Sequence, residues 1–313
     1  MSNDTPLYCD LANAPEHGRA LWVMSGRRRL RCAIWDGGTR GTVLLFTGRT
    51  EYIEKYGRVV TSLTERGFNV ATLDWRGQGL SDRPLGDPMK GHVGGFDAYQ
   101  MDVEAFCTAP EITALPGPHV LLCHSMGGCI GMRALLEERV EPDAVIMSAP
   151  MLGLTMTPVQ RIALDVLIRL SARFDFETVY VPGRQSSRPY VETASFEENV
   201  LTGDRDHYAW FAKHLEAEPG FGLGAPTIGW MARAGEEMEA LSHAPSPEMP
   251  LLMLLGEAEA VVSSAAIRAF DAKAPSCRLV ELPEAKHEIL METPAIRQTI
   301  WGEIDRFLVD QGI

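Results

Sequence analysis

The chain has 313 residues, 45% of them hydrophobic, with 42 Asp and Glu against 29 Lys and Arg and a formal net charge of −13. Its length suits one large α/β domain carrying an insertion, or two domains. The acidic balance excludes nucleic acid as an expected partner and opposes electrostatic docking on anionic lipid, because both need clustered basic side chains.

No N-terminal segment pairs a basic region with a long apolar one, and no stretch nears the roughly 18 apolar residues of a membrane span. The expected location is the cytoplasm, extending to the periphery of the inner membrane. The six cysteines include no Cys-x-x-Cys pair and the eight histidines no His-x-x-Glu-His spacing. Reduced, packed thiols are expected, with neither a disulfide framework nor a metal site.

In chain order, "ALWVM" (20–24) and "LRCAIWD" (30–36) read as an antiparallel hairpin split by "SGRRR". The basic run from Arg27 to Arg31 reads there as a solvated edge. "TVLLF" (42–46) is the first buried strand, and a helix near 54–66 ends at Gly67. "NVATLDW" follows as a strand, then the Gly-rich loop "RGQGLSDRPLGDP" and a helix near 96–107. "HVLLC" is a strand, 126–138 a helix, and "AVIMSAP" (144–150) another strand. The rhythm breaks over about 151–245, which shows helical segments and Gly/Pro-rich turns. It resumes with the strand "PLLMLLGE", a helix near 263–273, the strand "CRLVELP" and a final helix around 294–310. Continuous apolar strands alternating with helices predict a mostly parallel sheet covered on both faces. The organisation is therefore a core of 1–150 and 246–313 with a mainly helical cap at 151–245.

In the cap helix "TPVQRIALDVLIRLSARF", Arg161, Asp165, Arg169 and Arg173 recur every four residues as one charged stripe. Nearly all the rest of its surface is apolar. Two readings stand: burial on most sides, or an arc that lines an acyl pocket or touches a lipid surface.

Chemistry concentrates at "HVLLCHSMGG" (119–128). A strand ends at Ser125 and a helix-compatible run begins at once, as a strand-turn-helix nucleophile elbow requires. The elbow motif is Gly-x-Ser-x-Gly; Gly127 satisfies it, and Cys123 stands where the first Gly belongs. A serine hydroxyl needs an adjacent base oriented by a carboxylate, and two backbone N–H groups for the oxyanion. With the order serine, acid, histidine, His287 is the one histidine beyond residue 243, and it follows a strand at the edge where open α/β sheets bind ligands. His124 should point away from the site and pack. The acid should follow "LLMLLGE", where Glu257 and Glu259 are the carboxylates; Glu259, further past the strand, is preferred and Glu257 stays the alternative. The Met126 N–H is the first oxyanion donor. The second lies after the first buried strand, where Gly48 permits a close backbone approach and Arg49 supplies the N–H. An ordinary N-cap serine, a loop histidine and a solvated glutamate are the structural alternatives.

These residues resemble the monoacylglycerol lipase and lysophospholipase branch of the α/β-hydrolase family. That branch looks like His-Gly-x-x-Glu-His-x-x-Arg-Tyr where this chain reads "TGRTEYIEKY", and like Asp-x-Arg-Gly-x-Gly-x-Ser where it reads "DWRGQGLSDR". In the cap, "ENVLTGD" and "GAPTIGWM" are similar to stretches of the bacterial lysophospholipases. The resemblance implies the α/β-hydrolase fold and serine hydrolysis of a small amphiphilic ester, of monoacylglycerol or lysophospholipid type, without a cofactor. It also implies Gly48, Glu51 and Tyr56 as substrate-binding positions, and transient contact of the cap with a membrane surface. Thr47, Cys123 and Glu259 depart from the branch's His, Gly and Asp. Other readings are a small-ester esterase, C–C hydrolase or haloperoxidase on the same triad, and a non-catalytic binding protein.

Overall fold

A computed structural model describes residues 5–183 and 187–313. An eight-stranded sheet runs in the order β1-β2-β4-β3-β5-β6-β7-β8. Its strands are β1 (Arg19–Ser25), β2 (Arg28–Trp35), β3 (Gly41–Phe46), β4 (Phe68–Leu73), β5 (His119–His124), β6 (Ala144–Ser148), β7 (Leu251–Gly256) and β8 (Cys277–Leu282). The β1–β2 hairpin and the β2–β4 pair are antiparallel, and every pairing from β4 to β8 is parallel. The hairpin turns at Gly26, whose φ of 60° suits a residue without Cβ.

The helices of eight or more residues are α1 (Gly57–Glu65), α2 (Asp97–Cys107), α3 (Met126–Leu136), α4 (Pro158–Phe174), α5 (Arg205–Ala217), α6 (Ile228–His243), α7 (Ser264–Asp271) and α8 (Pro294–Asp310). Every residue of β3, β4, β6 and β7 is buried, so both faces of the central sheet are covered. Their continuous apolar runs follow from that double burial. The chain leaves the sheet after β6 and returns at β7. Among the described residues of that excursion lie α4, α5, α6 and short helical turns, held to core loops by isolated bridges such as Gly91 to Pro226 and Leu154 to Val262.

Two expectations change here. The basic run is not wholly a solvated edge: Arg31 is fully buried and forms ion pairs with Glu54 at 2.6 Å and Asp74 at 2.8 Å. Arg29 and Arg31 share a face of β2, but Arg29 at the strand's start is exposed, as is Arg27, whereas two residues further on Arg31 is covered by Glu54, Asp74 and the Phe221 ring. The cap helix α4 is not buried on most sides either. Thr157 and Gln160 form a capping box at its start, and Ser171 is its one buried residue. Leu164 and Ile168 face Met231 and Met238 of α6 across a cleft of about 520 Å³. Val159, Ile162, Val166, Leu170 and Phe174 point outward and are exposed.

Candidate active site

The strand β5 delivers Ser125 to the start of α3 with φ 51° and ψ −117°. A non-glycine residue there stores roughly 1–3 kcal/mol of strain, which the surrounding packing must hold. The packing is tight. A Cβ on Gly127 would lie 2.2 Å from the Phe46 carbonyl oxygen, and one on Gly128 2.6 Å from the Pro150 Cβ. Cys123, the departure from the elbow motif, is fully buried, and its Sγ would lie 2.6 Å from a Cβ on Gly131. One helical turn into α3, Gly131 supplies the room that a glycine at 123 would have supplied. Burial pushes the Cys123 thiol well up, so it packs as a small neutral group.

The loop after β8 carries His287, and the loop after β7 carries Glu259. His287 Nε2 lies 3.0 Å from Ser125 Oγ, and His287 Nδ1 lies 2.7 Å from Glu259 Oε2. An ionised carboxylate only accepts, so Nδ1 donates to it and Nε2 is left to accept the serine proton. Glu259 Oε1 accepts the Val261 and Val262 N–H groups at 2.6 and 3.0 Å. Burial alone would raise the Glu259 pKa; the His287 hydrogen bond and charge and these two N–H groups together hold it below its ordinary value. Glu257 is exposed and makes none of these contacts. Ser125 and His287 are 7% and 4% exposed. The excursion between β6 and β7 covers them, with the Glu288 N–H donating to the Leu201 carbonyl at 2.7 Å.

The loop after β3 forms the facing wall. The Gly48 N–H donates to Glu51, Gln78 Nε2 donates to the Gly48 carbonyl at 2.9 Å, and the Thr50 N–H donates to Gln78 Oε1 at 3.0 Å. Trp75 Nε1 donates to the Thr47 carbonyl at 2.8 Å, and Thr50 adopts φ 66°. Among the described residues, neither the Arg49 nor the Met126 N–H donates to a protein acceptor, which leaves both for an oxyanion. Glu51 and Tyr56, expected at the substrate, instead lie behind this loop, 1% and 0% exposed. The Glu51 carboxylate is engaged by Gly48, Lys55 and Tyr56, so it braces the wall and has no reach to a substrate. Gly48 is required by that brace, since a Cβ there would lie 2.7 Å from the Glu51 Oε2. Gln78 was not singled out in the sequence, though it sits inside the quoted "DWRGQG".

A buried polar cluster lies behind Ser125 and His287. Lys55 Nζ donates to Glu51 Oε1 and Glu288 Oε1, both at 2.6 Å. His124 Nε2 lies 3.4 Å from Glu288 Oε2, and the His124 ring centroid is 4.8 Å from that of His287. His124 is therefore packed, as expected, but against the His287 imidazole. Burial, opposed by Lys55 and reinforced by Glu51, pushes Glu288 up to about 7. Burial would also raise Glu51, yet Lys55 and His124 draw it down to about 2. Burial lowers the His124 pKa. Glu51, His124 and Glu288 could converge as metal donors, with ligand atoms within 4.8 Å of one another. The Lys55 ammonium lies between the two carboxylates and already supplies the charge a cation would bring, so the donor set does not fit a metal.

The sequence matches the family described as serine aminopeptidase, S33, over residues 37–294. It is 32% identical to lysophospholipase L2 of Escherichia coli (strain K12) over 268 residues, covering 82% of this chain and 76% of that one. It is 27% identical to a probable lysophospholipase L2 of Haemophilus influenzae over 294 residues, covering 91% and 90%. Among solved structures, a soluble variant of the Saccharomyces cerevisiae monoglyceride lipase, in complex with a substrate analogue, superposes with a TM-score of 0.72 at 20% identity. That match covers 94% of this chain and 96% of the other.

Proposed function

The chain belongs to the serine aminopeptidase S33 family and is a carboxylic ester hydrolase, and we propose that it cleaves single-chain lipid esters of lysophospholipid or monoacylglycerol type through an acyl-enzyme. The observation that carries this reading is the Ser125–His287–Glu259 hydrogen-bonded chain at 3.0 and 2.7 Å, beside two unspent backbone N–H groups.

Ser125 Oγ attacks the ester carbonyl as His287 Nε2 takes its proton. The Arg49 and Met126 N–H groups hold the oxyanion. Collapse of the tetrahedral intermediate expels the alcohol, protonated by His287, and leaves acyl-Ser125. Water, deprotonated by His287, then releases the fatty acid. Glu259 orients the imidazole and stabilises its cation. Segment 151–245 serves as the cap, and the names of the relatives support a lipid substrate.

We also propose that α4 touches the lipid surface from which substrate is drawn. Its outward residues Val159, Ile162, Val166, Leu170 and Phe174 are apolar and exposed, and Arg161, Arg169 and Arg173 beside them oppose the acidic whole. A fluorophosphonate probe tests the core reading: it labels Ser125 in folded protein and not Ser125→Ala. Absence of labelling overturns catalysis by this serine. Hydrolysis confined to short nitrophenyl esters, with none on palmitoyl lipids, favours a small-ester esterase instead.

A further inference from the structure

Arg49 carries an unusual burden. Its backbone N–H is the proposed second oxyanion donor, and its side chain reaches Gly224 and Trp230 in the segment between β6 and β7. Nη2 donates to the Gly224 carbonyl at 2.9 Å, and the guanidinium carbon lies 5.1 Å from the centre of the Trp230 ring. Gly91 makes room for it, since a Cβ there would lie 2.1 Å from Nη2. Nε is buried without a partner. Among the described residues no carboxylate forms an ion pair with it. Burial lowers its pKa to about 10, with only Tyr99 opposing.

Two neighbouring cations show how this chain normally settles such a charge. Lys55 is neutralised by two carboxylates. Arg83, also without an acidic partner, donates to the carbonyls of Gly77, Gly79, Gly220 and Gly222. Arg49 has one carbonyl. In a protein with net charge −13, a cation kept unpaired under the cap has donors left for an anion that arrives with the substrate.

We propose that Arg49 is a specificity-determining residue that binds the phosphodiester of a lysophospholipid head group. The proposal rests on the ester-hydrolase reading above and selects the phosphorylated substrate over the neutral glyceride. Reach agrees. In a 1-acyl lysophospholipid the phosphorus is as many covalent bonds from the reacting carbonyl carbon as the guanidinium carbon is from the Arg49 N–H.

The test compares palmitoyl lysophosphatidylethanolamine with 1-palmitoylglycerol, using wild type, Arg49→Met and Arg49→Lys. Wild type should prefer the phospholipid. Arg49→Met should lower kcat/KM for the phospholipid about tenfold or more relative to the glyceride, mostly through KM, as expected for loss of a charge-assisted pair. Arg49→Lys should recover part of that ratio, since it keeps the charge and loses the planar fork. An unchanged ratio in Arg49→Met overturns the proposal and leaves the hydrolase reading standing. So does an equal loss on both substrates, which would make Arg49 a clamp between loop and cap. Wild type that cleaves neither lipid and resists the fluorophosphonate probe overturns the hydrolase reading itself.

Discussion

Cys123 and Gly131 divide between them a space that the elbow motif gives to a glycine. The thiol is fully buried, and it would lie 2.6 Å from a Cβ on Gly131. The two positions should therefore be energetically coupled. Gly131→Ala should destabilise the protein by about 1–3 kcal/mol through overpacking. In a Cys123→Gly background the same substitution should cost less, because the thiol is gone. Urea unfolding of the four variants of this double-mutant cycle measures the coupling, and strict additivity would show that the contact is not shared.

Glu259, 2.7 Å from His287, is the proposed acid, and the two candidate glutamates give opposite outcomes. Glu259→Gln should reduce kcat by about 10³–10⁴-fold, since an amide no longer fixes the productive imidazole tautomer. Glu257→Gln, at an exposed position, should stay within about twofold. If Glu257→Gln proves the crippling change, the loop register after β7 is wrong.

The buried cluster predicts a pH dependence of stability. Glu288 is raised from its ordinary 4.5 to about 7 in the folded protein. A raised folded pKa contributes stability that is fully present below 4.5 and is lost as pH rises through about 7. Glu51, held down at about 2, acts oppositely: its contribution is present above about 4.5 and is lost as pH falls toward 2. Of these two carboxylates Glu288 is the one that titrates between pH 5 and 8, while His124, its pKa lowered by burial, acts in the opposite direction. Glu288→Gln removes that titration while its amide oxygen still accepts from Lys55. The unfolding free energy of wild type minus that of the variant, measured at pH 5, 6, 7 and 8, should therefore fall as pH rises. Parallel curves would exclude Glu288 as the source.

Arg31 is expected to be indispensable to folding although it lies in a run of surface arginines. Its ion pairs with Glu54 and Asp74 are fully buried, and removing one member strands the others. Arg31→Met should cost about 3–5 kcal/mol, against under about 0.5 kcal/mol for Arg27→Met at the exposed turn. Thermal unfolding distinguishes them, and equal effects would contradict the burial.

The outer face of α4 should matter only at an interface. Ile162→Glu with Val166→Glu should weaken sedimentation with phosphatidylethanolamine–phosphatidylglycerol vesicles severalfold. Hydrolysis of a soluble nitrophenyl ester should be little changed, because both side chains are exposed on the outward face of α4. Unaltered vesicle binding would remove α4 as the contact.

Local pattern determined much of this protein. Buried parallel strands need continuous apolar runs, so "TVLLF", "HVLLC" and "AVIMS" declared the sheet, and the order serine, glutamate, histidine placed one residue at each of three strand ends. The distances that join Ser125, His287 and Glu259 are consistent with that order. What the sequence could not express was which polar side chains face inward. Arg31 resembles Arg27 and Arg29 by residue type and even shares a strand face with Arg29, and only the distant Glu54, Asp74 and Phe221 packed over it bury it. Glu51 and Tyr56 read as substrate contacts only through the family resemblance. Three-dimensional packing turned them behind the loop after β3, where Glu51 takes the Gly48 N–H. The exposure of α4 was equally hidden, since an apolar arc looks the same whether protein or solvent covers it. Periodicity and chain order are one-dimensional properties and survive in the sequence. Burial, ion-pair partners and the room Gly131 leaves for Cys123 depend on residues far apart in the chain, so only the tertiary structure decides them.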